Sequence, residues 1–283
     1  VATHDCRVLR VDLTSGAVSE IAAEPGAAAG LVFSPDSGWL AWSAASDSTL
    51  RQIRMAQLAT GALHDATPLR FEDTCPVFTP DGLHLAFLSA RTFDPVYDTH
   101  GFELSFPVGV RPYLLPLRAD TASPFDPELG GRPVAPAAED KDATPVEVRI
   151  DLDGLTDRVV PLPVAAGLYE DLQAAKGGLL WLARPLSGVL GQDRAKGDKR
   201  RPALRRWDFV GRRVLTVVSE LDGFVVSGDG TRVLVVDGDC LRVGPADHAV
   251  DPSASPDAAP SELVDVDLAR LVVRPDPVTE WRQ

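Results

Sequence analysis

The chain has 283 residues, 45% hydrophobic content and a formal charge of −13. That is enough apolar material for a substantial core, but it contains no uninterrupted apolar run of about 18 residues, which argues against a membrane-spanning helix. The acidic balance argues against nucleic-acid binding, which needs a basic face.

Residues 1–24 read as the tail of a repeat unit. Arg7 to Leu13 alternates with period two, Thr14-Ser15-Gly16 turns, and Ala17 to Ile21 returns, which is a hairpin signature. Residues 30–72 form the cleanest unit. Phe33-Ser34-Pro35-Asp36-Ser37-Gly38 supplies a turn, Trp39 to Ser43 a strand, Gln52 to Leu58 a third strand, and Ala62 to Leu69 a fourth. Proline sets φ for a turn position, aspartate caps its own backbone and glycine takes positive φ.

Residues 75–163 begin the same way. Phe78-Thr79-Pro80-Asp81-Gly82 repeats the turn, with Phe33 and Phe78 standing 45 positions apart, as do Gly16 and Gly61. Two independent markers in one register define a repeat, and a period of roughly 40–50 residues with several short strands is that of a β-propeller blade. This unit carries an insertion over 91–145. Its first part, Arg91-Thr92-Phe93-Asp94-Pro95-Val96-Tyr97-Asp98, holds a guanidinium, two carboxylates, a phenol and a phenyl ring. Its later part, from Ser123 to Pro145, is rich in Pro, Ala, Gly and acids and reads as a surface excursion. Arg91, Phe93, Asp94, Tyr97 and Asp98 are therefore the candidate functional loop, against the plainer reading of an internal Arg-Asp-Tyr cluster that stiffens the insertion.

Residues 164–218 give a further blade with a weaker signature. It holds the one basic patch of the chain, Arg194, Lys196, Lys199, Arg200, Arg201, Arg205 and Arg206, read as a solvated inter-strand loop. Residues 219–273 give the last blade, in which Ser227-Gly228-Asp229-Gly230 is a shortened echo of the turn, and 274–283 reads as a linker. The fold class is thus all-β, a β-propeller of about four and a half four-stranded blades over 1–273. In a propeller the innermost strand of each blade faces the axis, so Val32, Val77, Tyr169 and Val225 are the candidate channel lining.

Chemistry of other kinds finds little support. There is no G-x-S-x-G elbow, P-loop or H-E-x-x-H, and the five histidines form no metal-ligand spacing. Asp151-Leu152-Asp153-Gly154 and Asp237-Gly238-Asp239 lack the spacing of a calcium loop and read as hairpin turns. Cys6, Cys75 and Cys240 show no CxxC spacing and read as free thiols of a reducing, cytoplasmic compartment. No catalytic residue, cofactor or metal site is expected within the chain.

The insertion is also where a family becomes recognisable. Arg91 to Asp98 followed by Phe102-Glu103-Leu104-Ser105-Phe106-Pro107, then Tyr113-Leu114-Leu115-Pro116-Leu117-Arg118, Ile150-Asp151-Leu152-Asp153-Gly154 and Arg158-Val159-Val160-Pro161-Leu162-Pro163, resemble the tricorn protease family. The resemblance implies the later part of an open seven-bladed propeller that ends at the junction to the catalytic half. It implies filtering of unfolded peptides towards a serine-peptidase active site and a PDZ domain downstream of Gln283, in a homo-oligomer, a hexamer in that family. It also implies about two and a half further blades before Val1, so the chain is expected either to be a fragment or to close its ring some other way. Two alternatives stay open: a stand-alone protein-binding scaffold like the propellers that accompany periplasmic translocation proteins, and the propeller cap of a prolyl-oligopeptidase-like enzyme.

Overall fold

The computed structural model describes residues 1–47, 50–93, 96–97, 104–105, 108–121, 123–125, 146–185, 201–246 and 263–268. The strands are β1 (Arg7–Val11), β2 (Val18–Ala23), β3 (Ala28–Phe33), β4 (Trp39–Ala45), β5 (Arg51–Gln57), β6 (Leu63–Asp65), β7 (Glu72–Phe78), β8 (His84–Ala90), β9 (Val96–Tyr97), β10 (Leu104–Ser105), β11 (Val110–Pro116), β12 (Val160–Pro161), β13 (Leu168–Ala175), β14 (Gly178–Arg184), β15 (Ala203–Asp208), β16 (Arg213–Val218), β17 (Gly223–Val226), β18 (Arg232–Asp237), β19 (Cys240–Pro245) and β20 (Val264–Asp265).

They assemble as four antiparallel four-stranded units and a partial one. The units are β3-β4-β5-β6, β7-β8-β11-β12, β13-β14-β15-β16 and β17-β18-β19-β20, with β1-β2 ahead of them and β9-β10 as a separate ribbon in the insertion. The first two units are joined by a single parallel bridge, Arg51 opposite Glu72. Residues 1–3 fold back on β1: Ala2 bridges Val8, and the Val1 amine donates to the Leu9 carbonyl at 2.7 Å. The leading hairpin thereby gains a short extra strand.

Apolar periodicity explains the stacking. A strand covered on both faces reads as a continuous apolar run, and β4, β8 and β14 are buried along most of their length. Alternate residues point to opposite neighbours. In β4, Trp39 and Ala41 enter the core shared with the second unit, whereas Leu40 and Trp42 enter the core shared with β1-β2. In β8, Leu85 and Phe87 face back to the first unit, and Ala86 and Leu88 face forward to the third. In β14, Leu179 and Trp181 face the second unit while Leu180 and Leu182 face the fourth. Burying each leucine or phenylalanine among these side chains contributes roughly 1.5–3 kcal/mol. Strand β18 breaks the pattern: Val233 and Val235 are buried while Leu234 and Val236 are only half-buried, because the described residues cover one face alone.

The innermost strands β3, β7 and β13 share an irregularity. Residues Gly30 and Leu31 together oppose Trp42, Cys75 and Pro76 oppose Phe87, and Asp171 and Leu172 oppose Trp181. Each is a β-bulge whose first residue is left-handed, with φ of 63°, 52° and 52°. The opposing aromatic is fully buried in all three units. Pro76 suits its site because a bulge leaves one residue out of the ladder and proline has no N–H to lose. Adjacent bulges touch, since a Cβ on Gly30 would stand 3.2 Å from Pro76 Cδ.

The insertion returns across the front of the first two units. Residues 146–150 form no strand; the Val148 N–H donates to Asp36 at 2.8 Å, and the Val148 side chain is buried in the core of the first two units. Asp151 to Gly154 is not the hairpin turn expected. Gly154, at φ 66°, instead starts a 3-10 turn over Leu155–Asp157.

Candidate functional site

The described residues of the candidate loop part company, Arg91 turning inward and Phe93 outward. Arg91 is drawn inward: its Nε donates to Ser89 Oγ at 2.8 Å, and its Nη2 lies 3.5 Å from Asp73. The guanidinium stands 4.4 Å from the Tyr113 ring centroid and 4.7 Å from that of Phe71, within cation–π range. Asp73 is fully buried and also accepts a hydrogen bond from Ser89 Oγ. Phe93 is 73% exposed. The backbone of Tyr97 pairs with Leu104 in the β9-β10 ribbon; its side chain, and all of Asp94 and Asp98, lie outside the described residues. Among the described residues, Arg91 thus serves the second unit's interior through Asp73 on β7.

The basic patch divides in the same way. Arg201 pairs with Asp237 at 2.7 Å and Asp222 at 3.0 Å. Arg205 donates to Thr216, and Arg206 is buried and donates to the Ala246 and Lys176 carbonyls. Arg194, Lys196, Lys199 and Arg200 lie outside the described residues. Among the described residues, no group of three His, Cys, Asp or Glu side chains is placed to hold a metal ion.

Among the described residues, a concave feature lies where the inner strands converge. A cavity of about 590 Å³ is bounded by the inner strands β3, β7, β13 and β17, one from each complete unit. All three bulges open onto it, through Gly30, Cys75 and Asp171. Its wall is largely aliphatic, including Val32, Val77, Leu172 and Val226, with the Gln173 amide among the few polar groups. Val32 and Val77 thus stand in the wall. Tyr169 instead packs on Trp181, with ring centroids 5.7 Å apart, and its hydroxyl donates to the Ala165 carbonyl. Val225 is 55% exposed, and its neighbour Val226 takes the wall position. The Asp171 bulge accounts for the placement of Tyr169, because an extra residue reverses the inside–outside alternation along β13.

One end of the cavity is built by the repeated turn. The hydroxyls of Ser34, Thr79 and Ser227 donate to Asp36, Asp81 and Asp229 respectively. Each hydroxyl also accepts the N–H five residues on, from Trp39, His84 and Arg232. The third unit has a short hairpin here, and the turn of the fourth unit seats on it: the Lys176 N–H donates to the Gly230 carbonyl at 2.8 Å. Pro35, Pro80 and Gly230 line this end. Between the third and fourth units, Gln173 acts as a strand surrogate. Its Oε1 accepts from the Val226 N–H at 2.7 Å, and its Nε2 donates to the Phe224 carbonyl at 3.1 Å.

Four antiparallel four-stranded sheets, stacked face to face with their first strands around a common cavity, define a β-propeller protein. Residues 1–247 match the family described as the tricorn protease second beta propeller domain. The chain belongs to this family. It is 49% identical over 289 aligned residues to Tricorn protease homolog 1 of Streptomyces coelicolor, covering 100% of this chain and 27% of that protein. It is 44% identical to the putative tricorn protease homolog 2 of the same organism, covering 89% of this chain and 22% of that protein. The chain therefore spans about a quarter of the length of these relatives. The crystal structure of the tricorn protease has the same fold, with a TM-score of 0.70 over 94% of this chain and 25% of that one, at 20% identity.

Proposed function

We propose that this chain is a non-catalytic propeller region of a tricorn-like serine protease, which channels unfolded peptides towards an active site located downstream in the polypeptide. The observation that carries the reading is the axial cavity, walled by the inner strands of four successive units. Those strands present aliphatic side chains, and a propeller's inner strand has one backbone edge with no partner strand, so an extended chain finds apolar walls and open backbone groups there. Selection by width needs no chemistry from the wall: an extended segment enters and a folded domain does not. The downstream partners in this reading are PDZ and peptidase domains of the same polypeptide, in a cytoplasmic homo-oligomer.

The test has two parts. The 283-residue chain alone should neither hydrolyse short fluorogenic peptides nor react with a serine-directed probe, whereas a polypeptide that includes the downstream region should do both. In that longer polypeptide, Ala174→Trp, which places bulk in the cavity wall, should slow turnover of long unfolded peptides and leave di- and tripeptide turnover unchanged. Labelling of the chain alone, or equal effects of Ala174→Trp on long and short peptides, would overturn the reading.

A further inference from the structure

We propose that the axial cavity selects peptides by charge, taking extended segments that carry a lysine or arginine side chain, with Asp171 and Asp229 as the counter-charges. This rests on the channel reading above and gives it a substrate class. Among the described residues of the wall, the charged side chains are Asp171 and Asp229, and no lysine, arginine or histidine joins them. They come from different units, Asp171 from the bulge of β13 and Asp229 from the turn after β17.

The two carboxylates are held differently. Asp229 is fixed by the Ser227 hydroxyl, the Thr231 N–H and the Thr231 hydroxyl. Those hydrogen bonds hold its pKa down to about 2, so it carries a fixed charge. Asp171 stands in the wall, is exposed, and accepts no hydrogen bond from any described residue, so among them its carboxylate is unclaimed. The wall beside it suits the other half of a basic side chain. Val32, Val77, Leu172 and Val226 offer aliphatic surface to a lysine or arginine stem whose charged head reaches a carboxylate. An acidic side chain in the same place meets two like charges and no cation, which is discrimination by repulsion. The chain's charge of −13 acts in the same direction at long range, drawing cationic segments in at low ionic strength.

The test is fluorescence anisotropy with the 283-residue chain and three dye-labelled unfolded peptides of equal length, bearing lysine, glutamine or glutamate at the same positions. Asp171→Asn is the informative variant, because asparagine accepts the left-handed backbone as aspartate does and the bulge is retained. Lysine should bind best and glutamate worst, and Asp171→Asn should cut the lysine-over-glutamate preference by about two- to fivefold, the range of one exposed charge pair. Raising the salt should shrink the preference as well. Asp153→Asn, an exposed change outside the wall, should leave it unaltered. Equal binding of all three peptides overturns charge selection alone and leaves the channel standing. A preference that survives Asp171→Asn, or falls equally with Asp153→Asn, assigns it to net charge and overturns the site. No binding of any peptide overturns the channel reading itself.

Discussion

Gln173 and Val226 are joined by a hydrogen bond of 2.7 Å that crosses from the third unit to the inner strand of the fourth, and the same amide returns a bond to Phe224. A side chain thereby supplies both a donor and an acceptor to an edge strand that otherwise ends at the cavity. Gln173→Leu keeps the approximate volume and removes both bonds. Leaving the Val226 N–H and the Phe224 carbonyl unpaired should destabilise the chain by about 1–3 kcal/mol, read as a fall in the urea midpoint. Faster hydrogen exchange at the Val226 amide should accompany it. A loss of stability with unchanged exchange there would show that the bond does not hold β17 in solution.

Arg91 provides a second test. Asp73 is completely buried, and the guanidinium is the cation beside it, 17% exposed and stacked on Tyr113 and Phe71. Arg91→Ala leaves a buried carboxylate without its counter-charge, a change that costs about 3 kcal/mol or more. The double variant Arg91→Met with Asp73→Asn should recover most of the loss. If Arg91→Ala unfolds within about 0.5 kcal/mol of the parent, the size expected of an ordinary surface substitution, the residue belongs to an exposed functional loop instead.

Acid should loosen the repeated turns. Burial pushes the Asp36 carboxyl up, but hydrogen bonds from the Ser34 hydroxyl, the Gly38 N–H and the Val148 N–H outweigh it and leave the pKa below the ordinary value. Asp229 lies at about 2. A depressed folded pKa gives stability that is present above the unfolded pKa of about 4 and lost as pH falls through the folded value. The melting temperature should therefore be insensitive to these groups above about pH 5 and fall between pH 4 and pH 2. Asp36→Asn should melt lower at neutral pH and show a shallower acid fall, since Val148 has lost its charged acceptor. A parent profile that stays level from pH 4 to pH 2 would contradict this assignment.

The blades were legible because turn chemistry is local. Ser34-Pro35-Asp36 and Thr79-Pro80-Asp81 close on themselves through bonds between near neighbours, so residue identity alone announces them. The apolar runs Trp39 to Trp42 and Leu85 to Leu88 likewise announce strands covered on both faces. The cavity wall was less legible because Cys75 and Asp171 adopt left-handed backbone that glycine normally marks, and only Gly30 carried that signal. Alternation counted across an unmarked bulge reverses inside and outside, and Tyr169 shows the result. The pairing of bulges with aromatics could have been found: Trp42 and Phe87 keep the same 45-residue step as the turns. Arg91 was legible both as a functional candidate and as part of an internal cluster, but its partner Asp73 was not, since that residue lies on another strand. That contact depends on stacking between strands, which spacing within the loop does not encode.

Gly230 tests whether the fourth unit's turn closes the end of the cavity. Its φ of 71° is left-handed, and a Cβ there would stand 2.9 Å from the Lys176 nitrogen and 3.2 Å from Pro80 Cγ. Gly16 shares the same φ, but a Cβ on it meets nothing within 4 Å. Both alanine variants carry the left-handed strain of about 1–2 kcal/mol; only Gly230→Ala must also push apart backbone and proline. The pair is therefore a subtraction that isolates the seating of one turn on its neighbours. Gly230→Ala should lose at least about 1 kcal/mol more than Gly16→Ala in urea unfolding, because close-packed backbone atoms cannot yield as a flexible side chain can. Equal losses would mean that the turn does not rest on Lys176 and Pro80 in solution, and that the cavity is open at this end.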